Sequence, residues 1–240
     1  MIRFTRPAAL MLAAPALLAA PAQAEVVESS DTHFVSRHAV EVAVPPKDAW
    51  LALIAPADWW NDSHTWSADA SNLSLTPQAG GCFCETMPAE DDDDSFGLEG
   101  SAQHMVVVQA VPRKVLRMRG ALGPLQSEPV DGVLTITMQP IEGDEGDITG
   151  TRFVWEYVVG GTMRFEIPAI SQAVDGVIGE QAMGLAEALG GAVAEEDGEA
   201  DASEFDAAFG PDADEGEGAA DEDADEDGDG ETPFEPGEGR

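Results

Sequence analysis

After Gly160-Gly161 the hydrophobic period of this chain changes from 2 to 3.6 and stays changed to about residue 189. Ahead of that point apolar residues alternate with polar ones in one short stretch after another, the pattern of half-buried strands. Behind it, Ile170, Val174, Val177, Ile178, Leu185 and Leu189 form one stripe on a helix of about 20 residues beginning near Pro168. A run of strands closed by one amphipathic helix leaves few arrangements. The helix must cover the sheet, and short connections make neighbouring strands antiparallel.

The strands expected are 33–44, 72–76, 81–87, 100–110, 115–120, 133–139 and 151–159, about seven in all. In the first, Phe34, His38, Val40 and Val42 share one parity while Arg37 and Glu41 share the other. Pro45-Pro46 ends it and opens a helix to Ile54, in which Trp50, Leu51 and Ile54 fall at helical spacing. Pro56 stops that helix. A second short helix and its loop follow at 58–67, carrying Trp59, Trp60 and Trp66; of the adjacent pair, at least one faces away from the core. On the long helix, Gly176, Gly179 and Gly184 each cost roughly 1 kcal/mol against Ala. They fit either very close packing on the sheet or flexing over an opening.

Both ends of the chain differ from its middle. Arg3 and Arg6, an apolar run from Ala8 to Ala20 and the small residues Ala22 and Ala24 form a secretory signal peptide, with cleavage after Ala24. The apolar run is too short to anchor the chain, which needs about 20 such residues, so no stable membrane insertion is expected. A periplasmic or secreted location follows. From residue 192 the apolar residues are nearly all Ala, with Phe205, Phe209 and Phe234 as exceptions; such a tail buries too little to offset ordering entropy and is expected to be disordered. The domain is therefore placed at 25–191.

The net charge of −36 divides the same way. Residues 25–191 carry 26 acidic and 8 basic residues, the tail 21 and one. An acidic domain excludes nucleic acid as a partner, because phosphate recognition needs a basic face. The tail's simplest role is solubility; docking on a basic partner or diffuse cation binding is the alternative. Asp223 to Gly228 starts like a calcium loop, but its twelfth position is Phe234 where a bidentate Glu is required. The acidic cluster at 89–95 reads as a solvated hairpin tip.

Cys82 and Cys84 sit two apart in an expected strand. In a straight strand their Cα atoms would lie about 6.6 Å apart, at the edge of disulfide reach. They read first as small pocket or core residues, with a disulfide on a bent strand and a metal or redox role as alternatives. The four His are scattered singly and give no metal spacing. There is no nucleophile elbow, phosphate-binding glycine loop or paired-His motif.

The runs Pro45-Pro46-Lys47-Asp48-Ala49-Trp50, Trp59-Trp60 with His64-Thr65-Trp66-Ser67, Ala79-Gly80-Gly81-Cys82-Phe83-Cys84-Glu85, Gly120-Ala121-Leu122-Gly123-Pro124-Leu125 and Val158-Val159-Gly160-Gly161 resemble bacterial members of the START-like (SRPBCC) superfamily, related to polyketide cyclases. The resemblance covers roughly residues 32–190. Similar spacing occurs in activators of the heat-shock chaperone ATPase, a cytosolic role at odds with a signal peptide.

The resemblance implies an α+β helix-grip fold, in which the sheet curls around the last helix and leaves a cavity between them. It also implies a hydrophobic or amphipathic small molecule in that cavity and no cofactor. Such pockets are apolar with a few placed polar groups. The wall candidates are Trp60, Trp66, Phe83, His104, Met118 and Trp155, with Glu85 and Arg119 for polarity; Trp50 and Trp155 also suit the core, and Arg117 and Arg119 also suit surface ion pairs. A non-catalytic binder is the first reading. A cyclase-like enzyme using Glu85 and His104 as acid and base is the second, and an interaction protein acting through its tail the third. Deleting residues 192–240 should leave the melting temperature nearly unchanged in a thermal melt; a large loss would show that the domain runs further.

Overall fold

The computed structural model describes residues 25–89, 97–143 and 145–193. The expected signal peptide at 1–24, most of the acidic cluster at 89–95 and the expected tail from 194 lie outside the described residues. Eight strands form one antiparallel sheet: β1 (Glu25–Ser29), β2 (His33–Val42), β3 (Leu73–Leu75), β4 (Cys82–Met87), β5 (Gly100–Val111), β6 (Val115–Arg119), β7 (Val130–Glu142) and β8 (Ile148–Gly161). Two helices accompany them, α1 (Pro46–Leu53) and α2 (Ile167–Ala188). The spatial order is β1-β2-β8-β7-β6-β5-β4-β3. From β3 to β8 the chain is thus an uninterrupted meander, and β2 joins at its far side.

Period-2 burial builds the inner face. In β8, Phe153, Trp155, Tyr157 and Val159 are each fully buried, and register carries the pattern across the sheet. His38 of β2 lies beside Trp155, which lies beside Ile136 of β7, then Leu116 of β6. The next row runs Ser36, Tyr157, Leu134, Met118, Val107. On the opposite face Arg37 pairs with Glu156, its register neighbour on β8. The Tyr157 hydroxyl accepts from the Leu122 N–H at 3.1 Å and donates to the Gly120 carbonyl, while burial pushes its ionisation well above the usual phenol range.

Three details depart from the expected layout. β1 is an additional strand, too short and too polar in its pattern to show a period. The second short helix is replaced by three separate 3-10 turns, Pro56–Asp58, Asp62–His64 and Ala70–Asn72. Finally, the chain returns to the sheet after α2: Ala192 bridges Val42, and the Val193 N–H donates to the Glu41 carbonyl. The described chain therefore runs two residues past the boundary placed at 191. No described helix is long and apolar enough to cross a membrane.

α2 packs mainly on β2 and β1. Its buried stripe contains Ile170, Ile178 and Leu185 but also Ser171, Asp175 and Gln181. Asp175 accepts from the Ser36 hydroxyl at 2.6 Å and bonds His38 Nε2 at 3.1 Å, so the helix is pinned to β2 by a buried carboxylate. Close approach explains two of the three helix glycines. A Cβ on Gly179 would sit 2.6 Å from His38 Cε1, and one on Gly184 would sit 2.7 Å from the Trp59 carbonyl oxygen; Gly176 faces open space. Gly179→Ala should therefore lower stability by about 1–3 kcal/mol through overpacking, several degrees in melting temperature. Gly176→Ala should raise stability by up to about 1 kcal/mol. Paired thermal melts check both, and equal effects would contradict this packing.

Candidate functional site

A small apolar cavity lies on the inner face of the sheet. Its floor comes from Leu75 of β3, Phe83 of β4, Leu116 and Met118 of β6, Leu134 and Ile136 of β7 and Trp155 of β8; its roof is Leu53, Pro56, Trp59 and Trp60. No α2 residue contributes to this lining, which differs from the expected cavity between sheet and last helix. The reason is the segment 56–66. Its irregular backbone passes between the C-terminal half of α2 and the sheet, so the helix backs the roof: Gln181 Oε1 accepts the Asn61 N–H at 2.9 Å, and the Gln181 amide NH₂ donates to His64 Nδ1 at 2.9 Å. Both adjacent indoles also face the cavity. A strand would send one of them outward, but Trp59 follows a 3-10 turn, and the rings meet at 5.6 Å between centroids.

The free space among these side chains is about 10 Å³, room for one water-sized sphere. The cavity is thus contracted, and any larger occupant must displace a wall. The sheet floor is held by continuous ladders, whereas the roof is made of short turns, the less costly part to move. One buried polar atom of a lining residue is unusual. Trp155 is fully buried, yet its indole N–H has no acceptor among the described residues. A buried donor left unpaired costs roughly 1–3 kcal/mol. The other roof and rim indoles are satisfied: Trp59 donates to the Ala52 carbonyl, Trp60 to that of His64 and Trp66 to Gln126 Oε1.

Beside the cavity, behind Phe83, lies a closed polar circuit. Glu85 is 1% exposed and His104 7%. The Glu85 carboxylate accepts from the main-chain N–H groups of Trp66 and Ser67 and from His104 Nε2, the last at 2.9 Å. The donor order can be followed round the ring. The Trp66 indole can only donate, so Gln126 meets it with Oε1; the Gln126 amide NH₂ then donates to His104 Nδ1 at 3.2 Å, leaving Nε2–H for Glu85. Burial alone would push Glu85 upward, but hydrogen bonds from Ser67, the Trp66 N–H and His104 outweigh it and hold the carboxyl below its ordinary value. Both imidazole nitrogens and both carboxylate oxygens are engaged. Chemically, the arrangement clamps the segment around Trp66 onto β4 and β5.

The structure corrects the first reading of the cysteines. Cys82 and Cys84 form a disulfide with Cα atoms 5.4 Å apart. The bend that a straight strand lacks is supplied by pairing: the register of β4 on β5 shifts between Phe83 and Cys84. The two sulfurs lie on one side of the strand and Phe83 on the other, where its ring meets Trp60 and His104 at 5.2 Å each. Closing so short a loop adds only about 1.5 kcal/mol by chain entropy. Its stronger effect is to fix the curvature that aims Phe83.

Of the expected wall residues, Trp60, Phe83, Met118 and Trp155 line the cavity. Glu85 and His104 stand behind it. Trp66 is 52% exposed on the rim. Arg119 is a correction: it pairs with Asp131 at the surface, both side chains being more than half exposed, because its position in β6 has the outward parity opposite to Met118. Arg117 likewise bonds Thr135 and Gln109. Leu53, Pro56, Trp59, Leu75, Leu116, Leu134 and Ile136 also line it and were missed, although Pro56 is the helix stop and Trp59 follows it on an irregular segment. Among the described residues no group of three His, Cys, Asp or Glu converges as a metal site.

Comparison with protein-family models gives no match, and comparison with curated proteins gives none. Among solved structures, the chain is similar to a protein from Rhodobacter sphaeroides at 17% identity and TM-score 0.39, covering 70% of this chain and 95% of that one. It is similar to a protein from Rhizobium leguminosarum at 18% identity and TM-score 0.40, covering 64% and 96%. A third, from Nitrosomonas europaea, has 16% identity and TM-score 0.42, covering 68% and 97%. Likenesses at these values carry no functional argument.

Glu85 makes stability depend on pH with a definite sign. Its folded-state value is depressed below the ordinary 4.5, so its contribution is present above that pH and is lost as pH falls through the lower folded value. Glu85→Gln should cost about 2–3 kcal/mol at pH 7 and flatten the acid limb. Urea titrations at pH 7 and at steps below pH 4.5 check this; parallel losses in variant and wild type would contradict it.

Proposed function

We propose that the protein is an exported, non-catalytic binding module of the START-like, helix-grip type, which takes an apolar small molecule between the sheet and the 53–60 roof. The observation that carries this reading is the composition of the cavity. Eleven residues line it, four of them aromatic and none charged, in the proportion that small-molecule sites favour. The meander followed by one long helix supports the superfamily assignment, and the signal segment supports export.

The contracted space sets a condition on binding. An occupant must lift Trp59 and Trp60 away from Phe83 and Trp155, so affinity is reduced by the fraction of molecules in which the roof is raised. That roof is held by few bonds. Gln181 and Glu180 hold Asn61, and Gln181 holds His64, all at the α2 face. An enzyme reading through Glu85 and His104 finds no support in the site, since the pair is closed on its neighbours and does not line the cavity.

Native mass spectrometry of the protein purified from its source, followed by organic extraction, tests the reading. The expected result is one apolar molecule per chain, recovered unmodified. A neutral apolar probe such as Nile red should also raise the melting temperature, by an amount equivalent to about 2.7 kcal/mol at a hundred times its dissociation constant. A chain that emerges empty and gains no stability from the probe would overturn the proposal.

A further inference from the structure

We infer that the Cys82–Cys84 bond is a thiol–disulfide exchange site that sets how readily the cavity admits a ligand: a dithiol reductant opens the bond, Phe83 is released and the wall yields. The inference rests on the binding reading above and adds its regulation. Its starting point is what the bond encloses. A disulfide that secures a whole fold gains most by closing a long loop, whereas this one closes around a single residue, Phe83. That residue is 2% exposed, lines the cavity and meets Trp60 of the roof.

Phe83 stands where the sheet itself gives the cavity wall little support. β7 and β8 lie side by side within the sheet, but β4 is next to its edge, flanked by the three-residue β3. On its other side the register with β5 slips directly after Phe83. Phe83 pairs with Met105 and Cys84 with Gln103, so His104 is the extra residue, and the bulge turns its ring inward beside Phe83 and towards Glu85. The disulfide braces β4 opposite that bulge. Just before it, the Val107 N–H donates to the Gly81 carbonyl and the Gly80 N–H to the Val107 carbonyl, both at 2.8 Å. Opening the bond therefore relaxes residues 82–84 and leaves the ladder ahead of them in place.

The sulfurs are placed for the chemistry. Cys82 and Cys84 have the parity opposite to Phe83, and each is partly exposed. A thiolate of the reductant attacks one sulfur, and the electron pair of the S–S bond leaves on the other. The reductant's second thiol then displaces the mixed disulfide, so that two electrons and two protons pass to the protein and the reductant departs as a disulfide. The reverse reaction needs no search through the chain, because the two thiols remain two positions apart on a strand paired on both flanks.

Nile red titrations of the full-length protein test the inference in the oxidised state, after dithiothreitol and after re-oxidation. Dithiothreitol should expose two thiols per chain to iodoacetamide without denaturant. The dissociation constant should then fall by roughly three- to tenfold, the upper figure being the whole of the constraint that so short a loop imposes, and should recover on re-oxidation. The double variant Cys82→Ser/Cys84→Ser should bind as the reduced protein does and ignore dithiothreitol, and Phe83→Ala should bind equally in both states. Equal constants in oxidised and reduced wild type, or weaker binding on reduction, would overturn the inference and leave the binding reading intact. So would a bond that opens only in denaturant, a reduced chain that no longer melts cooperatively, or a redox response that persists in Phe83→Ala. Binding of the probe in neither state would overturn both readings. Should either variant fail to fold, the wild-type cycle decides.

Discussion

The segment 56–72 has almost no regular structure of its own, and its main-chain N–H groups must still find acceptors. The rest of the inner face depends on how that is done. Side chains from three directions supply the oxygens: Glu85 from β4 takes two N–H groups, Gln181 from α2 takes that of Asn61, and Asp62 takes that of Ala70. Because these acceptors sit on the sheet and the long helix, the segment is tied down at Asn61 and at 66–67, beyond the two indoles. Trp59 and Trp60 are then delivered side by side over the sheet, which neither a helix nor a strand could do with adjacent residues.

This arrangement also explains why buried charge is tolerated on so acidic a chain. Glu85 and Asp175 sit on opposite flanks of the inner face, and each replaces its lost hydration with donors, His104 and two amides for one, Ser36 and His38 for the other. Each carboxylate joins two elements that apolar contact alone would allow to slide. The cavity between them is consequently shaped by polar fasteners outside its own wall. That is why an apolar site can have defined walls while remaining nearly closed.

Much of this was legible in the chain. The strands with clean alternation, the Pro-started α1 and the long helix all stand where the hydrophobic period put them, and of the expected wall residues Phe83, Met118 and Trp155 lie on those strands while Trp60 lies on the segment after Pro56. What was not legible is non-local. Asp175 and Gln181 lie within the apolar stripe of α2, where a period count sees only interruptions, and their partners are more than 100 positions away. The disulfide needed a bulge that arises from pairing with β5, not from residues 82–84 themselves. Arg119 was a candidate for polarity in the site, but it adjoins the inward Met118 and adjacent residues on a strand face opposite sides, so it meets Asp131 at the surface instead.

The Cys82–Cys84 bond has one more consequence. A disulfide survives only where cellular thiols do not keep it reduced, and this one closes within a single strand, without waiting for distant parts of the chain to meet. Two hydrogens' difference in mass on one short peptide distinguishes the oxidised chain from the reduced one, and the same two hydrogens decide whether Phe83 is aimed by a bent strand or a relaxed one.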